Sequence, residues 1–219
     1  MYIHIFVATT FKTSFKTHHK MKTKLYTLLL AGGLFVAAPA LAGGGSVDVD
    51  TKASKVEWTG KKVAGQHTGT IALNGGNLDV NDDQITGGKF SIDMTSIACT
   101  DMEGEYADKL VGHLSSPDFF DVAKHSTATF VIDRVENHDK DAAGDNAAVT
   151  GNLTIKGISH AISFPANIQI KGGKVAAVAD VRVDRTKYDI KYGSGQFFDG
   201  LGDNMIDDEF LLHIVLGAK

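Results

Sequence analysis

Cysteine is nearly absent. Cys99 is the only one in 219 residues, and one thiol makes no internal disulfide, so core packing must hold the fold. Cys99 also lies too far from the leader to carry a lipid anchor, and a lone cysteine reads first as a small buried hydrophobe. No apolar run favours a permanent membrane span. The best one, residues 25–38, is short and broken by Gly32 and Gly33. Catalytic motifs are missing too. Gly193-Ser194-Gly195 lacks the nucleophile-elbow spacing, and there is neither a phosphate loop nor a dinucleotide fingerprint. Past residue 42 the histidines are His67, His113, His125, His138, His160 and His213. None form a helical i, i+4 pair and none sit with a cysteine, so zinc has no support. Asp79-Val80-Asn81-Asp82-Asp83 starts like a calcium loop, but Gln84 stands where glycine is needed and Phe90 where glutamate is needed. His113 and Asp118 could form an acid/base pair, although a local role for His113 at a helix end is the simpler reading. No catalytic group, metal or cofactor is expected.

Residues 22–42 have the pattern of a secretory signal. Lys22 and Lys24 precede the apolar run, and Ala40-Leu41-Ala42 is a small-residue exit. The expectation is a leader and signal over residues 1–42, with Met21 as an alternative start, and one mature domain over residues 43–219. Residues 1–42 hold five lysines and no acidic residue. The remainder carries 17 Lys and Arg against 26 Asp and Glu, hence a formal charge of −9. An exported chain this acidic is a poor partner for nucleic acid or an anionic membrane surface. With 43% hydrophobic residues it has ample material for a core.

What the sequence has is period-two alternation. Val56 and Trp58 share one face of a strand beginning at Lys55. Residues 68–73 alternate, Gly75-Gly76-Asn77 reads as a turn, and Leu78 and Val80 begin another short strand. Asn81-Asp82-Asp83 turns the chain into residues 85–94, where Phe90, Ile92 and Met94 share a face. Ala128, Phe130 and Ile132 do the same, as do Leu153 and Ile155. Ile162, Phe164, Ala166, Ile168 and Ile170 form an unbroken stripe. After the hairpin signal Gly172-Gly173 it returns as Val175, Ala177, Ala179, Val181 and Val183. Phe210, Leu212 and Ile214 close the series. The period changes once. Tyr106, Leu110 and Leu114 recur at i, i+4, i+8, which predicts a helix over residues 103–114 with Asp101 as N-cap and Pro117 ending it. About eight strands and one helix, without alternation, exclude a doubly wound α/β fold. Long sequential hairpins favour an all-β, antiparallel, eight-stranded barrel with the helix inserted between strands.

Several segments, taken in order, carry a resemblance. They are Val56-Glu57-Trp58-Thr59-Gly60, His67-Thr68-Gly69, Gly88-Lys89-Phe90-Ser91-Ile92-Asp93 and Lys109-Leu110-Val111-Gly112-His113-Leu114. Then come Pro117-Asp118-Phe119-Phe120-Asp121-Val122, Thr127-Ala128-Thr129-Phe130, the segment from Gly151 to Gly157, and Asp184-Arg185-Thr186-Lys187-Tyr188-Asp189-Ile190. Their order along nearly the whole mature chain resembles the YceI-like, or polyisoprenoid-binding, periplasmic proteins. Two connections depart from that pattern: Lys124-His125-Ser126 lacks an aromatic-proline pair, and Ser159-His160-Ala161 lacks a proline.

The resemblance implies a lipocalin-like barrel, periplasmic export, and an apolar interior holding an isoprenoid or other long-chain amphiphilic lipid. The stripes then supply the wall that meets the ligand: Trp58, Phe90, Ile92, Phe130, Ile132, Phe164, Ile168, Val181, Val183, Phe210 and Leu212. From the helix and the turn after it come Leu110, Leu114, Phe119 and Phe120, placed over one mouth. A second gate is expected at the glycine-rich loop with Phe197 and Phe198. Two alternatives stay open at this point. One is a non-enzymatic stress or interaction protein, with a homodimer among its forms, whose core is filled. The other is a barrel enzyme using His67 or His113 on a lipid.

Overall fold

The computed structural model describes residues 44–219, so the expected signal segment lies outside the described residues. The elements are β1 (Gly45–Asp48), β2 (Lys55–Lys62), β3 (Gly65–Asn81), β4 (Gln84–Cys99), α1 (Glu105–Ser115), β5 (Thr127–Asn137), β6 (Ala147–Ile155), β7 (Ile158–Lys171), β8 (Lys174–Asp184) and β9 (Ile206–Ala218). Two short 3₁₀ turns, Arg185–Tyr188 and Gly202–Asn204, lie between β8 and β9.

Every pairing is antiparallel, and the order β3-β2-β9-β8-β7-β6-β5-β4 closes through β3 and β4. β2 pairs with the first half of β3, Trp58 opposite Gly69, and β1 pairs with its second half, Val47 opposite Leu78. Val49 then bridges Ala218 at the end of β9. β1 and β2 thus share one strand position, and nine segments make an eight-stranded closed barrel with α1 inserted between β4 and β5.

The tight hairpins follow from turn chemistry. Asp82-Asp83, Lys156-Gly157 and Gly172-Gly173 all have positive φ at both central residues, which matches the right-handed twist of the flanking strands. Gly75-Gly76-Asn77 is not the turn the sequence predicts. β3 runs straight through it, and the register with β4 shifts between Leu73 and Gly75. A Cβ on Gly76 would lie 2.5 Å from the Lys89 carbonyl, so this glycine serves a close strand approach. Gly69 does the same elsewhere, since a Cβ there would strike both the Ala98 carbonyl and the Trp58 indole.

Helix α1 begins later than expected, with Gly104 rather than Asp101 at its N-cap. Tyr106 is exposed and does not share the inward face of Leu110 and Leu114; the Lys109 ammonium lies 5.9 Å from its ring instead. Ser159-His160-Ala161 lies inside β7 rather than in a connection.

A buried polar knot ties the β8–β9 connection to the start of β9. Arg185 is 2% exposed. Its guanidinium donates to the carbonyls of Ile190 (2.8 Å), Tyr192 (2.9 Å), Asp207 (2.9 Å) and Ile206 (3.0 Å), and its NH2 group lies 3.5 Å from Asp208 Oδ1. One planar side chain with five donors is suited to satisfying the scattered carbonyls of an irregular loop. The Asp208 carboxylate is drawn into this knot from the start of β9.

Candidate functional site

The barrel interior is not filled. Inward residues enclose a cavity of about 760 Å³, near the upper part of the ~300–1,000 Å³ usual for small-molecule sites. Trp58, Phe90, Ile92, Phe130, Ile132, Phe164, Ile168, Val181, Phe210 and Leu212 all line it, as do Leu110, Leu114, Phe119 and Phe120 from α1 and the following turn. Val183 does not. It points inward but is 1% exposed and belongs to the sealed core that also holds Tyr188 and Ile190. Phe197 and Phe198 do not line the cavity either; both lie outside it on the surface.

Aromatic rings form two groups. Phe130 lies 6.3 Å from Phe90 and 5.5 Å from Phe164 across the wall of β4, β5 and β7. Nearer the helix, Phe120 lies 5.8 Å from Phe119 and 6.2 Å from Phe210, and the Arg185 guanidinium lies 5.6 Å from the Phe119 ring. Edge-to-face contacts of this kind add to area burial. Beyond the expected residues, the lining includes Ile71, Leu73, Leu78, Met94, Ile97, Val149, Leu153, Ile214 and Leu216.

Polarity is confined to one end. The polar lining residues are Lys61, Lys62, His67, His113, Arg185, Tyr192, Asn204, Asp207 and Glu209. They come from β2 and β3 beside their hairpin, from α1, from the β8–β9 connection and from the start of β9, all at the helix end. Along β2, alternation carries Val56, Trp58 and Gly60 to the cavity, and Lys61 and Lys62 both follow where the pairing with β9 turns irregular. The wall passes from apolar to cationic as it reaches the mouth. Most of these polar groups lack a period of their own, so only their place at the ends of inward stripes could have marked them.

The best-organised polar group is His67. Its Nδ1 lies 3.0 Å from Asp101 Oδ2, while Asp101 Oδ1 accepts from the Thr68 amide (3.0 Å) and the Cys99 thiol (3.2 Å). This explains why Asp101 does not cap α1: its carboxylate is bound to β3 and β4. Burial alone would raise the Asp101 pKa. The hydrogen bonds from Thr68, Cys99 and His67 outweigh it and hold the carboxyl at about 2. Burial and the Asp101 contact push the Cys99 thiol up, so it stays protonated at neutral pH and is a poor nucleophile. The carboxyl that is depressed in the fold contributes stability above the ordinary carboxylate range and loses it as pH falls from about 4 to about 2. Asp101→Asn should therefore be less stable than the parent at pH 6, and the gap should shrink as pH falls through that window. Urea unfolding at several pH values measures it; a gap independent of pH would mean that the Asp101 charge does no such work.

His113 does not pair with Asp118. Its ring packs 4.5 Å from Tyr192 and 5.3 Å from Phe119, and its Nε2 is buried without a partner. The main chain of His113 does hold the helix end, its carbonyl accepting from the Ser116 amide and hydroxyl. Among the described residues, no three histidine, cysteine or acidic side chains converge as a metal set.

A family model described as the YceI-like domain matches residues 48–218, spanning β2 to β9 and α1. The chain belongs to the YceI-like family. Relatives of this YceI-like chain include a UPF0312 protein of Pseudomonas aeruginosa, 29% identical over 154 residues, covering 68% of this chain and 73% of the relative. A UPF0312 protein of Pseudomonas putida is 28% identical over 159 residues, covering 69% and 76%. Among solved structures, BcnA of Burkholderia cenocepacia superposes with a TM-score of 0.60 at 21% identity, covering 78% of this chain and 99% of its own. A polyisoprenoid-binding domain from Saccharophagus degradans, implicated in plant cell wall breakdown, superposes at 0.55 and 16%, covering 81% and 99%. At these identities the structural likeness establishes the shared fold.

Proposed function

We propose that this YceI-like chain binds one isoprenoid or similar long-chain amphiphilic lipid inside the barrel, as a non-enzymatic carrier or storage protein of the periplasm. The observation that carries the reading is the cavity: about 760 Å³, apolar along its length and polar at one end only. Such a site matches a molecule with a long hydrocarbon tail and one polar head. The tail lies along Phe90, Phe130 and Phe164, and the head lies at the helix end beside His67 and Lys62.

The energetics favour it. A dry apolar cavity accepts hydrocarbon readily. Burying about twenty methylene equivalents gains roughly 16 kcal/mol gross at ~0.8 per group. Lost translation, rotation and chain freedom offset a large part, and the remainder still gives firm binding without specific polar contacts. A filled-core interaction protein would not leave this space open, because interiors pack with few voids. The printed description of the Saccharophagus degradans domain as polyisoprenoid-binding supports the ligand class. The signal-like residues 22–42 support the location. Organic extraction of natively purified protein, followed by mass spectrometry, tests the reading.

A further inference from the structure

The two ends of the barrel differ in what they show to solvent. At the far end the connections present Asp82, Asp83, Asp139, Lys140, Asp141 and Lys174. At the helix end Val63, Tyr192, Phe197, Phe198 and Met205 are each 37–55% exposed. Among the described residues, the other large exposed apolar side chains are Tyr106 on α1 and three valines on the strand walls.

These five belong to one linked surface. The Val63 amide donates to the Met205 carbonyl (3.0 Å), and a Cβ on Gly195 would lie 2.8 Å from the Met205 sulfur. The Phe197 and Phe198 amides both donate to the Ser194 carbonyl (3.2 and 3.0 Å), and the Ser194 amide donates to that of Lys191 (3.0 Å). Tyr192 belongs to both surfaces, since it lines the cavity and is also exposed on the rim. Exposed apolar side chains therefore stand outside the polar ring of the mouth, and Tyr192 joins them to the cavity.

We propose that this rim is a membrane-docking surface, with Val63, Phe197, Phe198 and Met205 entering the interfacial layer of a phospholipid bilayer and setting the mouth against it. The proposal rests on the lipid-binding reading. It answers a problem that reading creates: a long tail leaving the barrel into water would meet the full hydrophobic cost of exposure. A mouth seated on a bilayer passes the tail from one apolar medium to another. Contiguous apolar patches on a soluble protein mark interaction or membrane sites, and aromatic side chains suit the bilayer interface. Charge does not drive the contact. Lys61, Lys62 and Lys191 share this end with Asp189, Asp199 and Asp203, and the Lys191 ammonium is already held by Asp189 at 2.7 Å. Docking should therefore occur on neutral phosphatidylcholine and respond weakly to salt. A second copy of the chain on this rim would seal the mouth, which makes it the less suitable occupant.

The test uses a Phe197→Ser, Phe198→Ser double variant of the mature chain, since neither side chain lines the cavity. A dansyl-labelled long-chain isoprenol is the probe, supplied once in ethanol at equilibrium and once in phosphatidylcholine vesicles. Sedimentation with the same vesicles reads docking by itself. The expected result is unchanged equilibrium binding, transfer from vesicles slower by about tenfold or more, and loss of the parent's vesicle sedimentation. Equal transfer and equal sedimentation for parent and variant would overturn the proposal. A parent dimer that the variant dissolves, with no vesicle binding, would overturn it in favour of self-association. If the parent takes no probe from ethanol, the lipid-binding reading fails, and vesicle sedimentation still decides whether the rim docks.

Discussion

Arg185→Met should lower stability by about 3–5 kcal/mol, the usual cost of breaking a buried charged network. For a domain of this size that corresponds to a fall in Tm of roughly 10 °C. Methionine fills much of the space but donates no hydrogen bond. The carbonyls of Ile190, Tyr192, Ile206 and Asp207 would lose the donor that now joins them, and each buried carbonyl left without a partner is costly. Arg185→Lys should recover only part of the loss, because an ammonium on a flexible stem cannot match the planar fork. Thermal unfolding of both variants checks this. A methionine variant that melts with the parent would show that the 185–206 connection holds itself.

Phe164→Asp should abolish lipid uptake while doing less harm to the fold. Phe164 is half-buried, lines the cavity, and meets Phe130 at 5.5 Å. A carboxylate there draws water into a space that must be dry to hold a hydrocarbon tail, and an unpaired charge against the tail is strongly unfavourable. Affinity for a long-chain isoprenol should fall by about a hundredfold or more, equivalent to roughly 3 kcal/mol. The loss of ring contacts and of apolar burial should also lower Tm. Melting and lipid content equal to the parent's would show that Phe164 faces away from the ligand.

Much of this architecture is written in period two. Ile162, Phe164 and Ile168 against Val181 and Leu212 can be assigned to the interior from alternation alone, because a strand turns successive side chains to opposite faces. Alternation gives the face but not the depth of packing. Val183 is in phase with Val181, yet one lies sealed and the other meets the cavity. Glycine misleads for a related reason. Gly75 and Gly76 read as punctuation, but what requires a glycine at Gly76 is the approach of Lys89 on the next strand, a contact distant in sequence. Asp101 has the local pattern of a helix cap and is claimed instead by His67 and Thr68, more than thirty residues earlier. The rim is only half legible: the loop of Phe197 and Phe198 stands out, but Val63 and Met205 meet only once β2 and β9 are joined. The emptiness of the barrel cannot be read from composition either, since the same stripes would serve a filled core.

The central claim is that this space holds a lipid. The protein should be purified natively without detergent, extracted with organic solvent, and the extract weighed against protein by mass spectrometry. The account predicts about one long-chain amphiphile per chain, retained through purification because tail burial outweighs the cost of association. A folded protein that yields no such lipid, and takes up none when long-chain isoprenols are supplied, would contradict it.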